Sequence, residues 1–184
     1  AKGISKSHKQ YISQSYLFYN PSLDLENVCY YSEPYWVPWT LFFIFNCLYG
    51  FKRIITSEKT TPGLYMDLID RHKITSVMCT PFMANNILRN NNCRPLKSVE
   101  MALVGGQKFN ENLLVELQKV FPNAQLIPSY GSTEMDMITL SLKGMKGNSS
   151  GQVIDNYCIK IVDDSNNVLG PLEQGEVLVK PKIT

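Results

Sequence analysis

Two short runs hold side chains and backbone suited to one kind of ligand. Tyr130-Gly131-Ser132-Thr133-Glu134 offers an aromatic face for a base, a flexible glycine, two hydroxyls for phosphate oxygens and a carboxylate for a magnesium ion that keeps most of its waters. Val104-Gly105-Gly106-Gln107 stands between a strand pattern and a helix pattern, and paired glycines let a flat ligand approach the backbone with no side chain in the way. Taken singly, each run has a plainer explanation. The glycines suit any tight strand-to-helix turn, and the second run suits a polar loop with a half-buried Tyr. Taken together, and both placed just after expected strands, they are the parts of a nucleotide-triphosphate site, because open parallel sheets bind ligands beyond the carboxyl ends of their strands.

The elements that must position these runs are legible as alternation. Short β-branched or aromatic runs alternate with amphipathic helical patterns, which gives an α/β fold: a mostly parallel sheet with crossover helices, followed by a small β-rich C-terminal part. Strands are expected over 27–32, 51–56, 75–79, 100–104 and 125–128. Thr61-Pro62 and Thr80-Pro81 each put a capping hydroxyl before a proline at the first helical position, where the missing amide hydrogen is not needed. Leu64, Leu68 and Ile69, then Met83, Ile87 and Leu88, give the two helices a buried face. Over 110–121, Asn110 caps a helix whose stripe is Leu113, Leu114, Leu117, Val120 and Phe121, and Pro122 stops it. A Gly- and Ser-rich stretch, 144–151, leads into strands at 158–162 and 176–180 separated by an Asp-Asp-Ser-Asn-Asn turn. We therefore divide the chain into an α/β nucleotide-binding unit, 1–143, and the start of a small β-structure, 144–184.

Composition narrows the function. The 184 residues, 44% apolar and 18% charged, suit one sizeable core, and a formal charge of +2 with scattered Lys and Arg gives no stripe for nucleic acid. Five widely spaced cysteines form no CxxC pair, which favours a reduced, intracellular compartment. The longest apolar run, 39–49, falls short of the roughly 20 residues that span a bilayer. No GxGxxG opens a helix after a strand, so a dinucleotide-binding oxidoreductase is disfavoured.

YGSTE, with GGQ one strand and helix earlier, resembles the adenylate-forming superfamily of acyl-CoA synthetases, coumarate CoA ligases and beetle luciferases. The similarity keeps order and spacing along the whole chain. Ala1-Lys2-Gly3-Ile4 through His8 resembles the end of the family's phosphate loop and the helix after it. Ser150-Gly151-Gln152-Val153 and Gly175-Glu176-Val177-Leu178-Val179 resemble two of its strand regions. The resemblance implies an AMP-forming ligase that activates a fatty or aromatic carboxylic acid with ATP and passes the acyl group to coenzyme A. It implies nucleotide contacts from Lys2, Gly105, Gly106, Gln107, Ser129, Tyr130, Gly131, Ser132 and Thr133, with Tyr130 stacked on adenine. It assigns catalytic roles to Thr133 and Glu134, with Glu134 holding Mg²⁺, and an acyl pocket to Trp36, Trp39, Met135, Asp136 and Ile138. Partners would be the acid, ATP and coenzyme A, and luciferase relatives suggest a peroxisomal address.

Several features depart from that pattern. The chain begins at Ala1 and stops after a strand-like run, so it reads as an internal piece of a large N-terminal domain, inactive alone, lacking the phosphate loop before Lys2 and everything beyond Thr184. Where many members carry His and Gly in the acyl segment, this chain has Pro34-Tyr35-Trp36-Val37-Pro38-Trp39. That replacement motivates an alternative: a non-catalytic pseudoenzyme, or an acyl- or partner-binding module, of the same fold. For Trp36 and Trp39, pocket wall and core packing are both open.

Overall fold

The computed structural model describes residues 3–15, 28–30, 37–90, 94–141 and 149–182. The elements in chain order are α1 (His8–Ser15), β1 (Val28–Tyr30), α2 (Val37–Tyr49), β2 (Lys52–Arg53), α3 (Pro62–His72), β3 (Ser76–Cys79), α4 (Pro81–Arg89), β4 (Met101–Val104), α5 (Glu111–Val120), β5 (Gln125–Ser132), β6 (Asp136–Leu140), β7 (Gln152–Val153), β8 (Tyr157–Val162) and β9 (Glu176–Pro181). Seven strands form one sheet in the order β2-β1-β3-β4-β5-β6-β7, and β8 pairs with β9 in a second. Contacts from β2 through β5 are parallel, whereas β6 and β7 join antiparallel. The α/β class, with its mostly parallel sheet and small antiparallel appendage, is thus present. No helix among the described residues is long and apolar enough to cross a membrane.

The helices begin where local chemistry demands. The hydroxyl oxygens of Thr61 and Thr80 accept from the amides of Leu64 and Met83, both at 3.2 Å, each with a proline opening the helix. The Asn110 side-chain oxygen accepts from the Leu113 amide at 2.7 Å. Helix α2 ends on Gly50, whose φ of +73° suits glycine. Past that turn the Phe51 amide donates to the Asn46 carbonyl at 3.2 Å, and the Phe51 ring packs 5.2 Å from Phe45.

Side chains alternate across the sheet. On one face Val77, Ala102 and Val104 meet Tyr65, Ile69, Leu113 and Leu117 of α3 and α5 in the larger core. On the other, Met78, Leu103 and Ile127 meet Phe42 and Phe45 of α2, with Met137 and Leu140 of β6. Register aligns Cys79, Val104 and Pro128, the last parallel-paired residues of β3, β4 and β5. The next residues, Thr80, Gly105 and Ser129, therefore share one edge.

Two strand expectations are corrected here, the first being β2, which spans only Lys52–Arg53 rather than 51–56. Strand β5 does not end at Pro128 but runs to Ser132, so Tyr130, Gly131 and Ser132 are strand residues and only Thr133 to Met135 form a loop. Pro128 marks a change of partner rather than a stop. The strand pairs with β4 up to Pro128 and with β6 from Ser129 onward, and the Pro128 carbonyl accepts from the Ser141 amide at 2.9 Å. A proline at such a junction loses no ladder bond that matters.

Candidate nucleotide and acyl site

Chain geometry at the edge of β3, β4 and β5 constrains two of the glycines, Gly105 by lack of space and Gly106 by its backbone angle. A Cβ on Gly105 would lie 2.4 Å from the Ser129 hydroxyl and 2.9 Å from its carbonyl, and Gly106 turns with φ +87° against Thr80. Ser129 in turn donates its hydroxyl to the Val104 carbonyl at 3.2 Å. On the β5–β6 hairpin, a Cβ on Gly131 would lie 2.0 Å from the backbone oxygen of Asp136, at the point where the register shifts between Tyr130 and Gly131. The bulge and close strand approach need glycine there. The loop closes with the Met135 amide donating to the Ser132 hydroxyl at 3.2 Å, and Asp136 returns the chain into β6 at φ +58°.

Between this edge and α2 lies a cavity of about 230 Å³, lined by Gly106, Ser129, Tyr130, Gly131, Ser132, Thr133 and Asp136 together with the apolar Pro38, Leu41, Met78 and Met137. The lining thus combines apolar side chains with a few polar groups, as pockets for small organic ligands commonly do. Tyr130 as a whole residue is 44% exposed.

The expected site residues fall into three groups. Gly106, Ser129, Tyr130, Gly131, Ser132, Thr133 and Asp136 converge on the cavity. Gly105 is buried beneath it, while Gln107 and Glu134 are exposed on the flanking loops. Met135, Ile138 and Trp39 are outside the lining. Ile138 is buried in β6 at 2% exposure. Trp39 stacks on Phe43 with ring centres 5.4 Å apart and carries the Arg53 guanidinium 4.2 Å over its face. Helical geometry explains this, since Trp39 and Phe43 are four apart on one stripe while Pro38 and Leu41 turn another toward the cavity. Trp39 therefore packs on Phe43 and Arg53 rather than lining this cavity. Lys2 and Trp36 lie outside the described residues.

Sequence reading missed a polar cluster behind the hairpin. The Lys6 ammonium pairs with the Asp136 carboxylate, each side chain only 3% exposed, and it also stands 5.4 Å over the Tyr11 ring. Gln14 donates to the Tyr157 hydroxyl at 2.6 Å, and that hydroxyl donates to the Met135 carbonyl. Burial pushes the Asp136 carboxyl above the usual Asp range, and the Lys6 hydrogen bond and charge offset only part of that rise. Tyr157 is raised as well, by burial first and then by the Asp136 charge. No local motif signals contacts of 130 and 143 residues' separation.

Comparison with known proteins agrees with this arrangement. The chain is 30% identical over 123 residues to human mitochondrial acyl-coenzyme A synthetase ACSM4, covering 65% of this chain and 21% of that protein. It is 27% identical over 147 residues to 4-coumarate–CoA ligase 3 of Arabidopsis thaliana, covering 74% and 26%. It thus spans about a fifth to a quarter of the length of these curated relatives. Its fold superposes on a luciferase-like enzyme of the mealworm Zophobas morio with a TM-score of 0.83 and 22% identity, over 97% of this chain and 45% of the other. An O-succinylbenzoate coenzyme A synthetase of Bacillus subtilis, solved with ATP and magnesium, gives 0.80 and 23%, over 98% and 38%. At these identities the structural likeness concerns the fold alone. A sequence profile described as "AMP-binding enzyme" matches residues 1–183, and with the motif edge and cavity in place the chain belongs to that AMP-binding enzyme family.

Proposed function

We propose that this chain supplies the nucleotide edge and one wall of the acid pocket of an AMP-forming acid–thiol ligase. The observation that carries the reading is the convergence of Gly106, Ser129 to Thr133 and Asp136 on one cavity at the carboxyl edge of the parallel strands. In this reading adenine lies against Gly105, Gly106 and Gln107 with Tyr130 stacked on it, and Gly131, Ser132 and Thr133 face ribose and phosphates. The acid enters between Asp136 and the apolar side made by Pro38, Leu41, Met78 and Met137. A carboxylate oxygen bonds to the α-phosphorus while the bond from that phosphorus to its bridging oxygen breaks, the electron pair leaving with pyrophosphate. A thiol, coenzyme A in the finer reading, then attacks the acyl carbon and releases AMP. The protein's part in the first step is positioning and hydrogen bonding to phosphoryl oxygens as charge builds there.

Among the described residues no three His, Cys, Asp or Glu side chains gather into a metal cage. Glu134, exposed on the loop after Ser132, is the carboxylate that would hold Mg²⁺ in this reading, with substrate phosphates and water as its other ligands. Bound in that way, the ion neutralises triphosphate charge. The division at residue 143 belongs to the same reading, with β7 reaching back into the main sheet beyond it. So does an intracellular site of action, where ATP and coenzyme A are found; the finer peroxisomal address draws no support from the relatives, of which the human one is named mitochondrial.

Acid-dependent exchange of labelled pyrophosphate into ATP, run on the protein containing this chain with a panel of fatty and aromatic acids, tests the reading. Exchange with at least one acid is expected. Acid binding without exchange would move the assignment to the binding module, and neither would remove both.

A further inference from the structure

Asp136, the partner of Lys6, is the one charged residue in a cavity lining otherwise made of neutral polar and apolar residues. Two charged side chains, each 3% exposed, are costly to desolvate, and a buried pair often adds less stability than an apolar pair of similar volume. Asp136 also occupies φ +58°, a conformation in which a side chain is disfavoured and glycine is at ease. Strain and buried charge at one residue, on the wall of a cavity, are the marks of a site kept for what it binds rather than for the stability it gives.

The hydrogen bonding shows what Asp136 has left to offer. Its Oδ1 accepts from the Lys6 ammonium, while Oδ2 accepts from none of the described residues and is not among the solvent-inaccessible unpaired oxygens. Asp136 lines the cavity together with Ser129, Thr133, Leu41 and Met78. The charge of the carboxylate is already matched by Lys6, and Tyr11 stands next to the pair. A neutral donor placed against Oδ2 completes the carboxylate without adding charge, whereas an ammonium there would meet the Lys6 ammonium a short distance behind.

Resting on the reading above, we infer that Asp136, held by Lys6, selects hydroxyl-bearing carboxylic acids over their plain hydrocarbon counterparts by accepting a hydrogen bond from the acid's hydroxyl at Oδ2. Asp136 touches the substrate in this account, and Lys6 is a positioning residue that fixes the carboxylate's rotamer and charge state. A plain acid would desolvate the free oxygen with nothing in return, so discrimination is on the order of tenfold or more.

The test measures direct binding by calorimetry, and pyrophosphate exchange alongside it, for matched acids on the protein containing this chain with ATP present. Suitable sets are benzoate, 4-hydroxybenzoate and 4-aminomethylbenzoate, and hexanoate with 6-hydroxyhexanoate and 6-aminohexanoate. The hydroxylated member of at least one set should bind about tenfold or more tightly than both its plain and its ammonium-bearing partners. In the double variant Lys6→Leu with Asp136→Gly, which removes the charges together and places glycine at the positive φ, that preference should fall to parity. Equal or tighter binding of plain acids by the unaltered protein would overturn the inference, and so would a preference that survives in the double variant. A hydroxyl preference in binding with no exchange would uphold it while sinking the ligase reading; exchange without preference would do the reverse.

Discussion

The crossover units from Thr61 to Ala124 and the hairpin corner around Asp136 are neighbours in one sheet, yet they are held by different means. In the first, each turn of structure is specified within a few residues. Thr61, Thr80 and Asn110 cap the helices that follow them, and buried aliphatic and aromatic residues close over the sheet. In the second, Asp136 is paired with Lys6, 130 positions away, and the Met135 carbonyl accepts from Tyr157 of β8. The difference teaches that the scaffold is encoded locally, while the cavity edge at the hairpin is held by contacts from distant parts of the chain.

Breaking the pair from one side should show that contrast most strongly. Lys6→Met leaves the Asp136 carboxylate buried without its partner and should cost about 3 kcal/mol in denaturant unfolding, whereas the double change to Leu and Gly should recover most of it. Next comes Gly131→Ala, whose Cβ would meet the Asp136 backbone oxygen at 2.0 Å. Backbone cannot move aside as a side chain can, so about 2 kcal/mol of stability should be lost with the hairpin register. On the scaffold side, Asn110→Ala removes one cap and should cost about 1 kcal/mol, with the cavity unchanged.

The smallest effect is a pH dependence. Burial raises the Asp136 carboxyl in the folded chain, so the folded state holds its proton more tightly than the unfolded one. Stability from this group is therefore present at low pH and declines as pH rises from the ordinary Asp value through the raised one. Lys6→Met removes the opposing charge, so the decline should extend to higher pH. Unfolding midpoints measured across that range would check the sign.

These contrasts also explain what could be read from residues alone. Thr-Pro pairs, the Asn110 cap and the helix 111–120 stripe are short-range signals, and the sheet from β3 to β5 followed from them. The glycine and hydroxyl runs at 104–107 and 129–134 were legible as composition and order, and most of them line one cavity. Strand β6 was not seen, because Asp136–Leu140 is buried throughout and shows no alternation, and Pro128 gave a false stop. Trp39 has the residue type of a pocket wall but the helical phase of a packing residue. The Lys6–Asp136 pair had no signal at all, since ion pairing across 130 residues follows from the fold and not from spacing.

The central claim is that the edge formed by Gly105, Gly106 and the β5–β6 hairpin is an adenine-nucleotide site, and photolabelling with 8-azido-ATP followed by peptide mapping tests it most directly. The account predicts label on peptides containing residues 105–107 and 129–134, competed by AMP and lost in Tyr130→Ala. Label confined to other peptides, or label at these that AMP does not displace, would contradict it.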